Sequence, residues 1–296
     1  MNSARDATVR AKACFLRACA LDVAVRKPGN VSVASAGHGM DAAMFIASAR
    51  AAAGPLFEPG SRVGERIEAA VQASWAVAGC NTNLGIVLLC APIALAVEQQ
   101  PDATSPAALQ QAVEAVLAEL DLADAQAAYR AIARARPGGL GDAPREDVHR
   151  PPSVDLRAAM ALAADRDRIA RQYRDGYADL FELGLAPLGP GFALAATALT
   201  GAVDARTVAA VQRLYLALLG SAADSHIVRI HGEAVAHTVM AAAQRWQARA
   251  RRAGGLDTDP GFAAWDAALK AERINPGTSA DLTVGTLLIA GLTEPV

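Results

Sequence analysis

Aromatic residues make up only 4% of this 296-residue chain, and alternating runs of β-branched residues are scarce, so a sheet-based core has little to be built from. An excess of charge of one sign is missing too. Lys and Arg number 28 against 30 Asp and Glu, and a net charge of −2 removes the electrostatic footprint that nucleic acid or anionic lipid requires. No apolar run reaches the roughly 20 residues of a membrane span. The most apolar stretch, Gly85 to Val97, is shorter and is interrupted by Pro92, so it reads as a buried core helix. The 4 cysteines, Cys14, Cys19, Cys80 and Cys90, have no CxxC spacing and lie among apolar neighbours, which points away from disulfides and structural zinc. Met1 to Arg10 carries Arg5, Asp6 and Arg10 in place of the apolar run of a secretory signal, so a cytoplasmic location is expected. There is no Walker A loop, no GxGxxG after a strand, no HExxH and no GxSxG. Without a repeat or a Ser/Gly-rich linker, residues 1–296 are expected to form a single domain.

What the chain does have is alanine and helical spacing. With 53% hydrophobic and 20% charged residues it can bury a large core, and the pattern predicts an all-α, multi-helix bundle. Val9, Ala13, Leu16, Ala20 and Val23 predict a first helix over 7–25, ended by Lys27-Pro28-Gly29. Further helices are predicted over 40–53, 63–77, within 106–136, and over 156–183, 204–219, 226–253 and 262–273, with a last one opened by the turn at 275–281. The Pro/Gly-rich piece from Pro137 to Pro152 is a loop or lid candidate.

Several of these junctions concentrate charge, glycine and amides, which suits a phosphorylated ligand. Arg26, Lys27, Gly29 and Asn30 form a basic glycine turn that could hold a phosphate, although helix C-capping would use the same residues. His38 and Asp41 put an imidazole and a carboxylate at a helix start, where an N-cap is the simpler reading. Asn81, Thr82, Asn83 and Gly85 precede the buried apolar helix, and capping accounts for one of their polar groups but hardly for three. Asp224, Arg229 and Glu233 fall near one helix face, which a solvated row of charges would also produce. Gly277, Ser279 and Asp281 open the last helix, where an ordinary cap is again the alternative.

Taken in order, RKPGN (26–30), GHGMD (37–41), GCNTNLG (79–85), GGLGD (138–142), ADSHIVRIHG (223–232) and NPGTSADL (275–282) resemble the triphosphoribosyl-dephospho-CoA synthase family over nearly the whole chain. The resemblance implies an all-α enzyme in which adenine leaves C1′ of ATP and the 2′-hydroxyl of dephospho-CoA attacks, the triphosphate staying on the transferred ribose. Lys27 and Gly29 match the family's KPG turn, His38 and Asp41 its His/Asp segment, and Asn81, Thr82 and Gly85 its Asn-Thr segment. Asp224 and Arg229 match its Asp…Arg segment, and Gly277, Ser279, Ala280 and Asp281 its terminal one. On this reading Arg26, Lys27 and Arg229 meet phosphates, and Asn81, Thr82 and Asn83 position ribose or phosphate. Asp41 and Asp224 bind Mg²⁺ or act as base, with His38 beside them.

The sequence departs from the family where His-Lys is replaced by Asn83-Leu84, Asp-Thr-Asn by Asp224-Ser225-His226, and Gly-Gly by His231-Gly232, so the acceptor is open. GGLGDAPREDV followed by PSVDLRAAMALAADRDRIARQY is similar to a divergent branch associated with tetrahydromethanopterin-linked one-carbon metabolism, which makes a pterin-ribitol compound an alternative acceptor. A non-catalytic nucleotide-binding or partner protein and a helical hydrolase of ribosyl bonds are the other classes, with no nucleic acid and no membrane among the expected partners. The Ala-rich helices suit packing between subunits as well as within one, so a homo-oligomer is compatible with the sequence.

Overall fold

The computed structural model describes residues 2–141, 143, 145–194, 203–253 and 255–294; Asp142 of the glycine-rich segment lies outside them. Among the described residues the fold is all-α, without a strand. Its helices are α1 (Asn2–Ala24), α2 (Ala42–Leu56), α3 (Val63–Ala78), α4 (Leu84–Gln99), α5 (Pro106–Ala118), α6 (Leu122–Ala135), α7 (Leu156–Ala163), α8 (Arg168–Arg174), α9 (Ala205–Ser221), α10 (Ser225–His231), α11 (Glu233–Ala253), α12 (Pro260–Ala271) and α13 (Gly277–Leu292). No helix is long and apolar enough to cross a membrane.

The two helices that are apolar all round, α4 and α13, pack against each other and against α1 at the centre, because a helix without a polar face has no side to give to water. Helices α2, α3 and α6 lie to one side, and α9 with α11 to the other. A second apolar cluster joins α9, α11 and α12 through Tyr215, Phe262 and the stacked Trp246 and Trp265.

Pro92, in the middle of α4, cannot donate the hydrogen bond that the Leu88 carbonyl expects from it. Tyr173 supplies the missing donor: its hydroxyl donates to Leu88 O at 2.7 Å, and Tyr177 donates to Leu89 O at 2.9 Å. The proline thereby fixes where α8 docks. Buried Arg168, the first residue of α8, donates to Leu218 O at 2.6 Å and to Ser221 Oγ at 2.9 Å, and so ties the same helix to the end of α9.

Two predicted helices are broken. The stretch predicted over 156–183 divides into α7, α8 and a π-helical turn, since Asp167 caps α8 by accepting from Ile169 N and Ala170 N. The one predicted over 226–253 divides at Gly232, whose φ of 84° interrupts the helix between α10 and α11. All four cysteines are free.

Candidate active site

The heads of α4, α10 and α13 meet the side of α1 and the segment from α7 to α8 around a cavity of about 440 Å³. The 137–148 loop completes its wall, which is where the Pro/Gly-rich lid candidate lies. Gly139 backs onto the Arg229 carbonyl so closely that an added Cβ would lie 2.6 Å from it. Asp147 holds the loop's own turn by accepting from Ala143 N and His149 N, both at 2.8 Å.

The floor is acidic. Asp281, the fifth residue of α13, lies against Gly85 on the first turn of α4; a Cβ on residue 85 would lie 2.1 Å from its Oδ2, so only glycine leaves room for the carboxylate. Burial, with Asp22 and Asp224 nearby, pushes the Asp281 pKa well above the usual carboxylate range, and Arg229 opposes this only in part. No hydrogen bond or ion pair reaches it among the described residues. Asp22, projecting from α1, lines the same floor and is also raised by burial, against the pull of Lys27. Lys27 is fully buried and donates to Asp22 O at 2.7 Å, with its Nζ 3.0 Å from Asp22 Oδ1. Thr82, another wall residue, is 7% exposed and its hydroxyl has no hydrogen-bond partner among the described residues. Gly85→Ala is expected to displace Asp281 and to cost about 1–3 kcal/mol of stability from overpacking, measurable by urea unfolding.

The rim is basic. Arg145 and Arg166 are exposed on the cavity wall, and among the described residues no acid pairs with either. Arg229 also lines the cavity and is held by Asp167, Nη1 to Oδ2 at 2.5 Å, while its Nε is buried without a partner. The remaining wall mixes apolar Ile132, Met160, Ile169 and Val228 with the polar Glu146, Asp147, His226 and Asn275.

Of the residues expected at a site, Asn30, Asn81, Thr82, Asn83, Gly85, Arg229, Gly277 and Asp281 line this cavity. The others hold the frame around it. Asp224 is 1% exposed: Oδ1 accepts from His226 N at 3.0 Å and Ile227 N at 3.3 Å, and Oδ2 accepts from Ser279 N at 2.7 Å and Ser279 Oγ at 2.8 Å. One carboxylate thus caps α10 and fixes the start of α13, with no oxygen left for a metal. Asp41 is an exposed N-cap of α2, accepting from Met44 N at 2.9 Å, and does not line the cavity. Asp41 and Asp224 therefore do not meet as a metal pair, and among the described residues no cluster of three metal-ligating side chains occurs.

His38 has a φ of 58° and its Nε2 lies 2.7 Å from Gly29 O, away from the cavity wall. Arg26 faces Asp266, Nη1 to Oδ2 at 3.7 Å, and Gly29 N donates to Asp266 Oδ1 at 2.9 Å. The basic turn is locked onto α12 in this way, and only Asn30, whose Nδ2 donates to Asn275 Oδ1 at 3.1 Å, reaches the cavity. Within the Asn-Thr segment, Asn81 caps α4 by accepting from Leu84 N, and Asn83 turns to Ser74 Oγ at 3.0 Å.

Sequence reasoning missed Asp22, Arg145, Arg166 and Asp167, and passed over His226 for His38. A carboxylate between Leu21 and Val23, in the apolar last turns of α1, was a usable signal for Asp22. Arg166 sits in a run of alternating charges that reads as an ordinary solvated surface.

A helical frame thus encloses a cavity with guanidinium groups, without acid partners among the described residues, above the carboxylates of Asp22 and Asp281. The family model for ATP:dephospho-CoA triphosphoribosyl transferase (CitG) matches residues 8–296, and the chain belongs to that family of transferases. Among solved structures it is similar to a protein from Archaeoglobus fulgidus described as a triphosphoribosyl-dephospho-CoA synthase. The TM-score is 0.61 at 22% identity, covering 84% of this chain and 98% of the other, a likeness of fold. No curated protein sequence matches it significantly.

Proposed function

We propose that the protein moves the triphosphoribosyl group of ATP, with departure of adenine, onto a hydroxyl of a cofactor precursor, dephospho-CoA being the acceptor named by the family. The observation that carries this reading is the charge arrangement of the cavity: among the described residues, Arg145 and Arg166 have no acid partner on the rim and Asp281 has no ion-pair partner on the floor. Guanidinium groups match phosphate oxygens in geometry and charge, so the rim suits the triphosphate. The ribose would then lie below it, over Asn81 and Thr82.

The floor fits a divalent cation. Mg²⁺ is commonly held by one or two carboxylates together with substrate phosphates, and Asp22 with Asp281 would hold it here, the orphaned Thr82 hydroxyl nearby. When bound, it neutralises part of the triphosphate charge. Lys27 opposes the burial that raises the Asp22 pKa and holds the carboxylate in place; Gly85 leaves the space that Asp281 occupies.

The acceptor side is less polar than the family pattern. Leu84 lines the cavity where that pattern carries a cation, and Asn83 is turned to Ser74. This favours, as a second reading, an acceptor uncharged at that point, such as the ribitol of a pterin compound in tetrahydromethanopterin-linked one-carbon metabolism.

Mass spectrometry of the purified protein with ATP, Mg²⁺ and dephospho-CoA tests the proposal. A triphosphoribosyl adduct with equimolar adenine supports it; adenine without adduct moves the acceptor to the pterin class or to water; absence of both overturns it. Arg166→Ala is expected to raise the KM for ATP roughly ten- to a hundredfold, the loss of one charge-assisted contact of about 1.5–3 kcal/mol, with a smaller effect on kcat.

A further inference from the structure

We infer that His226 is the catalytic residue that accepts the proton of the attacking hydroxyl, an inference that rests on the transfer reading above. Among the described residues it is the only imidazole in the cavity wall. Of the other histidines near it, His38 is engaged with Gly29 O and His231 with Arg273 O at 3.1 Å. Among the described residues the ring of His226 has no hydrogen-bond partner, whereas its backbone is fixed twice, its N–H donating to Asp224 Oδ1 at 3.0 Å and to Thr278 Oγ1 at 3.2 Å. That places α10 and the head of α13 as a rigid mount for a free ring. Gly277 lies beside the ring: a Cβ there would stand 3.4 Å from the ring Cγ, in ordinary van der Waals contact with the imidazole.

The charges around the ring keep it able to accept. Burial is the largest influence and lowers its pKa. Arg229 on the same helix, His38 from the 37–40 turn and His231 at the end of α10 push the same way, while Asp224 opposes them. The face toward α13 presents the neutral Thr278 and Gly277. A neutral imidazole at physiological pH is the form that takes a proton.

In the step itself, the acceptor oxygen forms its bond to C1′ of the ribosyl group as its proton passes to a ring nitrogen of His226. The C1′–N bond to adenine breaks, and its electron pair leaves with the base. The proton is then returned through solvent to adenine, so atoms and charge balance.

The test compares wild type with His226→Gln, which keeps a polar group of similar reach but cannot serve as a base, and with His226→Asn as a second variant. Thermal melting verifies that each folds. With ATP, Mg²⁺ and dephospho-CoA, kcat is expected to fall about 10²- to 10⁴-fold, with KM values for both substrates within about threefold. The wild-type rate should decline on the acid side as the imidazole is protonated, a limb that the variants lack. A variant that keeps wild-type turnover, or loses rate only through KM, overturns the role of His226 while the transfer reading stands. A wild type that neither releases adenine nor builds the adduct overturns both.

Discussion

Replacing Asp281 by Asn is expected to remove transfer activity by at least roughly a hundredfold, the several kcal/mol that charge stabilisation at a metal-phosphate site supplies. The same change should raise the melting temperature of the unliganded protein. The two effects are opposite in sign because the carboxylate is costly to the fold and useful to the substrate. Half-buried beside Asp22 and Asp224, with no hydrogen bond or ion pair of its own among the described residues, Asp281 binds its proton more tightly folded than unfolded. The folded protein thus holds more protons than the unfolded chain between the ordinary Asp range and the raised value, and stability falls as pH rises through that window. Asp281→Asn should flatten this fall and weaken Mn²⁺ binding in the presence of ATP, followed by electron paramagnetic resonance. If the variant is both inactive and less stable than wild type at neutral pH, Asp281 is a packing residue and the carboxylate floor is not a cation site.

The contrast among the carboxylates accounts for what the sequence could and could not reveal. Asp41 and Asp224 cap helix starts and Asp281 stands one turn inside one, and near a helix start an acid is either a cap or a ligand. Which one it is depends on where the partner helices end, which is long-range. Asp224 receives Ser279 from 55 residues away, and its oxygens are used up; Asp281 meets a glycine across the interface and stays free. Apolar periodicity was enough for the central helices, because α4 and α13 have no polar face to mislead the reading. It failed at Asp167 and Gly232, where a single cap or a single positive φ divides a helix without disturbing the spacing of its apolar residues. The cavity arginines were invisible for a related reason, since Arg145 and Arg166 belong to segments whose charge pattern matches any solvated surface.

Lys27→Met is expected to be the most destabilising single change near the site. Lys27 is fully buried and its partner Asp22 is 4% exposed, so removing the ammonium leaves an uncompensated buried carboxylate. Breaking such a pair from one side costs about 3–5 kcal/mol, on the order of 10 °C in Tm for a chain of this size. The Lys27 Nζ also donates to the Asp22 carbonyl near the end of α1, so the helix terminus loses a buried hydrogen-bond donor with the charge. Because the Asp22 pKa is already raised by burial, losing the lysine should raise it further. The variant should therefore lose additional stability as pH climbs above the ordinary carboxylate range. The double change Lys27→Met with Asp22→Asn separates electrostatics from shape. If the ammonium serves to compensate Asp22, the double variant recovers most of the lost stability in a thermal double-mutant cycle yet stays inactive, because the floor has lost a carboxylate. A double variant as unstable as Lys27→Met alone would mean that the side chain acts through packing and its bond to the carbonyl. Recovery of stability with activity intact would remove Asp22 from the reaction and leave Asp281 as the carboxylate that the cavity uses.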